Sequence, residues 1–196
     1  TDAGAEVVDG EVLRGRDLVV PDRLADNALA VLAEVQRIAE RQPLDAVYAA
    51  MWDVEQLEVL RRTDIPVVTA LVTTFAITLR TRPEWAGNTE FMTNFGDPLL
   101  ELERWVLGHS RRLHAISEAI RGDVEATSGV ALDPERVLVA PIGSLDRFAS
   151  ASLAQENDRP CTVLFVGRFE KRKGIDLLLA AVPTLLGQVP GARVVM

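Results

Sequence analysis

Cysteine, lysine and tyrosine are scarce in this 196-residue chain. It has one cysteine, Cys161, and its only two lysines are Lys171 and Lys173. A single cysteine excludes an internal disulfide and any metal site built from thiolates. Because Cys161 opens an apolar run, we expect it to be a small residue of the core.

Long apolar runs and a net positive charge are also missing. No stretch approaches the roughly 18 uninterrupted apolar residues that cross a bilayer, and the first six residues are too polar for a secretion signal. The net charge of −8 argues against a nucleic-acid partner, because neutralising phosphates needs a basic face. We therefore predict a cytoplasmic protein without a nucleic-acid partner. Peripheral membrane contacts and contacts between copies stay open.

Apolar residues alternate between strand and helix patterns over much of the chain. After Asp22, a plausible N-cap, apolar side chains recur at helical spacing and stop before Pro43. A second helix is predicted over 54–62, and Pro98 fits the first turn of another. Alternation of this kind predicts an α/β fold with a parallel sheet, with strands at 45–50, 66–71, 112–116 and 137–141.

Residues 72–97 break this pattern and are rich in Thr, Gly and Asn. An irregular segment of this length is usually a functional loop or lid, and it follows a strand end, where open α/β sheets place ligands. Trp85, Phe91 and Phe95 could stack on a sugar or on an apolar acceptor. Alternatively, they anchor the segment to the body of the domain.

Four cations lie together between an apolar run at 162–166, which predicts a strand buried on both faces, and a helical pattern that begins at 175. Gly167 ends the run, and Arg168, Lys171, Arg172 and Lys173 follow it. A helix N-terminus at the end of a buried parallel strand favours anions, since its first amides lack partners and the helix dipole is positive there. The added cations indicate a phosphate group. A solvated turn is the plainer alternative.

Four segments, in order, resemble family-4 retaining glycosyltransferases of the GT-B fold. Gly167-Arg168 with Lys173-Gly174 resembles the start of that family's carboxyl-terminal domain, and 137–143 followed by Asp146 and Phe148 resembles its interdomain segment. Residues 113–119 resemble a strand-to-helix turn, and 65–71 resemble the strand before the acceptor loop. From its position before Glu118, Ser117 is expected to cap a helix that closes at Gly129. The resemblance spans 65–196.

This resemblance implies two Rossmann-like parallel-sheet domains, only partly represented in the chain. Residues 1–150 would be part of the acceptor-side domain, 151–160 a small and polar linker, and 161–196 the start of the nucleotide-sugar-binding domain. A GT-B enzyme is about twice this length, so we expect the chain to be a central fragment of a longer protein.

The resemblance also implies a reaction and its site. A sugar would pass from a nucleoside-diphosphate sugar to an unidentified acceptor, with retention of configuration and no cofactor or metal. Arg168 and Lys173 would hold the leaving diphosphate as the catalytic cations. The other substrate-binding residues would be Gly167, Gly174, Arg172, Gly143, Ser117 and Thr73. His109 and His114, on a helix end and a strand, are expected to be structural.

Two positions depart from the family pattern. Val72 and Thr73 stand where the family often has a histidine, and Ile142 replaces its usual asparagine. These departures favour one alternative, a non-catalytic module that binds a phosphorylated ligand or a partner protein. A phosphorylase, or another sugar-phosphate enzyme on the same fold, is a second alternative.

Overall fold

The computed structural model describes residues 5–8, 11–15, 17–143 and 161–196, with backbone alone at 5–8 and 11–13. The chain divides into two compact units, Thr1–Gly143 and Ser144–Met196. The predicted linker at 151–160, together with Asp146 and Phe148, lies outside the described residues.

The first unit is built on a parallel sheet whose strands follow one another in chain order. These strands are β3 (Val47–Ala50), β4 (Val67–Leu71), β5 (Arg112–Ala115) and β6 (Val137–Val139). An antiparallel pair, β1 (Ala5–Val8) and β2 (Glu11–Arg14), precedes the sheet. The predicted parallel α/β architecture is therefore confirmed.

Helices connect the strands and supply much of the core. They are α1 (Asp22–Ala39), α2 (Leu57–Arg62), α6 (Asp97–His109) and α7 (Glu118–Ser128), with a 3-10 turn at Trp52–Val54. Leu24, Ala28, Leu32 and Val35 of α1 are buried at helical spacing, as the apolar pattern predicts. The α1 helix begins one residue earlier than expected, so its N-cap is Pro21 and Asp22 lies in the first turn.

The two faces of the four-stranded sheet differ. Alternate residues of one face, such as Thr69, Leu71 and Leu113, are buried. Tyr48 and Leu138 on the other face are each 62% exposed. No helix in the described residues is both long and apolar enough to cross a bilayer.

The segment 72–97 is helical, which corrects the predicted irregular loop. It contains α3 (Phe75–Leu79), α4 (Pro83–Ala86), α5 (Thr89–Phe91) and a π-helix at Met92–Gly96 that runs into α6. Thr74 and Asn88 cap two of these helices through side-chain oxygens that accept backbone N–H bonds. Helices of three to five residues are too short to produce a periodic apolar pattern, so the sequence gives only their caps.

The described part of the second unit has a strand-helix-strand order. It comprises β7 (Thr162–Leu164), a 3-10 turn at Lys171–Lys173, α8 (Ile175–Gln188) and β8 (Arg193–Val195), with β7 and β8 parallel. The prediction that β7 is buried on both faces is wrong, since Leu164 is 64% exposed and Cys161 is exposed as well. Among the described residues of this unit, one long helix is present, and one helix can cover only one face of a sheet.

Candidate functional site

Three predicted substrate-binding residues lie at one edge of the first sheet. Thr73 follows β4, Ser117 follows β5 and Gly143 follows β6. These strands are parallel neighbours, so their carboxyl ends meet at the same edge, where ligands of open α/β folds bind. The topology thus brings Thr73, Ser117 and Gly143 to a common edge.

Ser117 caps helix α7, as predicted from its position before Glu118. Its Oγ accepts a hydrogen bond of 3.2 Å from the backbone N–H of Ile120, and its own backbone is extended. The helix closes at Gly129 in the left-handed conformation, with φ of 70°. The Ser117 hydroxyl hydrogen is not used by this cap, and the side chain is exposed.

A buried carboxylate fixes the backbone just beyond Thr73. Glu103, on α6, accepts hydrogen bonds from the backbone N–H groups of Phe75 at 2.6 Å and Ala76 at 3.3 Å. These are the first amides of α3, which would otherwise lack partners. Thr73 is half-buried, and its hydroxyl has no hydrogen-bond partner among the described residues. It therefore stays available to a ligand.

Burial raises the pKa of Glu103 to about 7. The two backbone N–H bonds and the charge of Arg104 act in the opposite direction, and Asp53 adds to the rise. A glutamate that changes charge near neutral pH therefore lies behind the carboxyl edge of the sheet.

Strained backbone follows the neighbouring strand β3. Asp53 and Val54 have φ angles of 56° and 47°, a region that is costly for a β-branched residue. The Asp53 side chain is 17% exposed, and its Oδ2 lies 3.7 Å from Nη2 of Arg23. Strain of this kind is typical of binding and catalytic sites.

Aromatic rings fill the space behind this edge. Phe75 contacts Trp85, Phe91 and Phe95, with ring centroids 6.1–6.2 Å apart. All three partners pack against the hydrophobic core. This arrangement favours the interpretation that Trp85, Phe91 and Phe95 anchor the 72–97 segment to the body of the unit.

Both histidines make satisfied local contacts, as expected. His114 Nε2 lies 2.8 Å from the Ala140 carbonyl oxygen, and its Nδ1 lies 2.7 Å from the Tyr48 hydroxyl. His109 bonds to the Trp105 carbonyl oxygen and stacks on the indole ring. Within the described residues, no group of three or more His, Cys, Asp or Glu is arranged to hold a metal ion.

The remaining predicted site residues share one connection in the second unit. Gly167, Arg168, Arg172, Lys173 and Gly174 all lie between β7 and α8. Gly174 is the N-cap of α8 with φ of 72°, a conformation that favours glycine. Because glycine has no side chain, α8 begins without a side-chain cap, and its first amides can meet an anion.

Glu170 balances part of the positive charge of this connection. Its Oε1 lies 2.6 Å from Nε of Arg168, and its Oε2 lies 3.6 Å from Nη2 of Arg172. Oε1 is nevertheless buried without a hydrogen bond, so the Arg168 N–H does not point at it. Lys171 and Lys173 are exposed and form no ion pair with a described residue. The connection therefore keeps a net positive charge.

Glu103 and Glu170 were not among the predicted site residues. For Glu103 a signal existed, because it lies one helical turn after Leu99 and one residue after Leu102, on a face that the apolar pattern assigns to the core. A charged residue at such a position needs a partner. Glu170 stands among four cations, and this charge pattern alone indicates a counter-ion.

Comparison with known families matches most of the chain. The family described as "Glycosyl transferase 4-like domain" matches residues 1–143, which include the carboxyl edge with Thr73, Ser117 and Gly143. The connection that carries Arg168 and Lys173 lies beyond the matched residues. Among curated proteins, none matches the chain. Because the match covers most of the chain and the parallel sheet has the Rossmann-like form that the resemblance implies, the chain belongs to the glycosyl transferase 4-like family.

Proposed function

We propose that the chain takes part in the transfer of a sugar from a nucleoside-diphosphate sugar to an acceptor, with Arg168 and Lys173 holding the diphosphate. The observation that carries the proposal is the connection between β7 and α8. It joins a net positive charge to a 14-residue helix that begins at Gly174 without a side-chain cap.

Loss of the diphosphate leaves negative charge that the site must stabilise. Arg168 can bind two phosphate oxygens through its planar guanidinium, whereas Lys173 supplies a point charge. Gly167 and Gly174 let the backbone approach, and the first amides of α8 donate to an oxygen. Arg172 adds a third cation. The reaction would retain configuration and need no metal or cofactor.

Glu170 lies beside Arg168, the proposed diphosphate ligand. Its carboxylate pairs with Arg168, so an incoming phosphate must compete with it for the guanidinium. Thr73, Ser117 and Gly143 would meet the transferred sugar or the acceptor at the carboxyl edge of the first unit. We propose a cytoplasmic site of action.

Binding of inorganic pyrophosphate tests the proposal without knowledge of the base or the sugar. Calorimetric titration of the full chain should show saturable binding that Arg168→Ala and Lys173→Ala each weaken by about ten-fold or more, the scale for one charge-assisted hydrogen bond. Arg193→Ala is the matched control, because Arg193 is an exposed arginine of the same unit. Equal binding by all four proteins would contradict the assignment.

A non-catalytic phosphate-binding module is the second candidate. The observation that favours it is the pairing of Glu170 with Arg168, which lowers the charge available to a substrate. The two functions differ in one result. A transferase releases nucleoside diphosphate from its donor, whereas a binding module retains the ligand unchanged.

A further inference from the structure

A groove lies at the amino edge of the four-stranded sheet, the edge opposite Thr73 and Ser117. It opens where Pro66 leads into β4 and Arg111 leads into β5. The backbone N–H of Arg111 donates to the Val67 carbonyl oxygen at 2.8 Å and joins the two strands there. The groove has a volume of about 510 Å³, within the range of small-molecule sites. We call it the amino-edge groove.

Basic side chains dominate the charge of the amino-edge groove. Arg14 from the end of β2, His109 from the end of α6, and Arg111 line it together with Asp64. Asp64 is the one acid among the described lining residues, and its Oδ1 pairs with Arg14 Nη2 at 2.6 Å. Two arginines against one aspartate leave the lining positive even when His109 is neutral. This is a local reversal in a chain of net charge −8.

Two helices end at this edge, and the free carbonyl groups of a helix end repel anions. Here these carbonyl groups already accept hydrogen bonds from arginines. Arg14 Nη1 donates to the carbonyl oxygens of Leu60 and Thr63 at the end of α2. Arg136 Nη2 donates to three carbonyl oxygens near the end of α6. The fold therefore accounts for Arg14 and Arg136, and the helix ends do not cancel the remaining positive charge.

The fold gives no partner to the side chain of Arg111. It is exposed and makes no hydrogen bond or ion pair with a described residue. His109, two residues earlier, has its Nδ1 2.8 Å from the Trp105 carbonyl oxygen. Since a carbonyl oxygen only accepts, Nδ1 carries the hydrogen, and Nε2 is left without a described partner. The groove thus keeps a guanidinium group and an imidazole nitrogen for a ligand.

Packing between β2 and α6 holds the basic residues in place. Gly15 follows Arg14 with a φ of 64°, and a Cβ there would lie 2.9 Å from Nε1 of Trp105. Glycine therefore lets the chain lie against the indole. The ring of His109 stacks on the same indole, with centroids 3.9 Å apart. Groups fixed in this way before a ligand arrives lose little conformational entropy on binding.

We propose that the amino-edge groove binds a small organic anion, a phosphate or carboxylate group joined to an apolar body. Arg111 can donate two parallel N–H bonds to either charged group, and His109 adds a donor when protonated. The apolar body would lie on Ile65, which is half-buried, and Pro66, which is exposed. This inference does not rest on the proposed transferase function, whose substrates are placed at the carboxyl edge and at the second unit.

A titration followed by heteronuclear NMR of the full chain tests the proposal. The probes are phenyl phosphate and benzoate, with benzyl alcohol as the uncharged ring. We expect saturable shifts of the backbone amides of Ile65, Val67 and 109–111 with at least one anion, and the tighter anion identifies the charged group. Arg111→Gln should weaken binding by about 5-fold, between the scales of an exposed ion pair and of a hydrogen bond to a charged group.

Arg112→Gln is the matched control. Arg112 is adjacent, exposed and equally without a described partner, but it does not line the groove. This variant should bind as the wild type does. An equal loss in Arg111→Gln and Arg112→Gln would overturn the proposal, because it would show general attraction to a positive edge.

Three further results would overturn the proposal. They are no saturable shift at the groove with either anion, unchanged affinity in Arg111→Gln, and benzyl alcohol binding as tightly as the anions. The amides of 167–175 report separately on the connection between β7 and α8, so a phosphate bound there is distinguished from one in the groove. Shifts at the groove without pyrophosphate binding at that connection would support this inference and count against the transferase.

Discussion

The carboxylate of Glu103 on α6 lies 2.6 Å from the backbone nitrogen of Phe75, the first residue of α3. A buried acid of one helix therefore holds the first turn of another. Phe75 in turn contacts the rings of Phe91 and Phe95, and Thr73 lies two residues before it. This one contact couples the end of β4 to the aromatic segment.

The stability of the first unit should depend on pH through Glu103. Its pKa is about 7 in the folded protein, against an ordinary 4.5. Between these values the folded state binds more protons than the unfolded state, so the free energy of unfolding falls as pH rises. The stabilisation is present in acid and is lost by about pH 7. The loss amounts to at most about 3 kcal/mol.

Glu103→Gln removes this dependence because an amide does not ionise. Urea denaturation from about pH 5 to pH 8 should show the unfolding free energy of the variant gaining up to about 3 kcal/mol relative to the wild type. Glu101→Gln changes an exposed acid of the same helix. Its unfolding free energy should differ from that of the wild type by the same amount at every pH. Parallel pH profiles for wild type and Glu103→Gln would show that Glu103 ionises normally.

Turnover should depend on Arg168 and Lys173. If these cations stabilise the leaving diphosphate, changing either one to alanine should lower the rate of nucleoside-diphosphate release by about 10²-fold. A panel of uridine, guanosine and adenosine diphosphate sugars supplies the substrates. Arg193→Ala should retain wild-type turnover, and unchanged rates in both site variants would contradict the role.

Removal of Glu170 should strengthen pyrophosphate binding. Glu170→Gln takes away the carboxylate that lies 2.6 Å from Arg168, so a phosphate no longer competes with it. We expect affinity to rise roughly 3- to 10-fold at low salt and the gain to shrink at high salt, where charges are screened. Glu135→Gln, an exposed acid of the first unit, controls for net charge. Weaker binding by Glu170→Gln would instead mean that Glu170 orients Arg168.

A buried ion pair in α2 should matter for stability. Glu58 is 3% exposed and pairs with Arg61, which is 8% exposed, and with Arg62. Glu58→Ala leaves the Arg61 charge buried without this partner, so chemical denaturation should show a loss of about 3 kcal/mol. Glu34→Ala breaks an exposed pair with Arg37 and should cost much less. Equal losses would mean that Arg61 finds other partners.

The features that sequence predicted well are those fixed by neighbours along the chain. Ser117 caps α7 because a hydroxyl before a helix meets the N–H three residues later, and Gly129 ends the same helix by its backbone freedom. Leu24 and Leu32 are buried because helical spacing puts them on one face. The parallel α/β sheet follows from the alternating patterns, the Rossmann-like form is what the resemblance implies, and the family match supports both.

What sequence did not predict depends on distant packing. Cys161 and Leu164 belong to an apolar run, but whether a strand is buried depends on what covers its sheet. The sequence of 72–97 is typical of a loop, because helices of three to five residues are too short to show a periodic apolar pattern. Glu103 reaches α3 across the fold, so only three-dimensional packing shows its role.

Ser117 allows a helix cap to be separated from a substrate contact. Ser117→Ala removes the bond to Ile120 and should lower the free energy of unfolding by about 1 kcal/mol. Ser117→Asp restores a cap and should recover that loss, but it places a negative charge at the carboxyl edge. If Ser117 meets the sugar substrate there, Ser117→Asp will be as stable as wild type and still slower in nucleoside-diphosphate release. Denaturation and turnover are measured on both variants. Wild-type turnover in Ser117→Asp would show that Ser117 acts only as a helix cap.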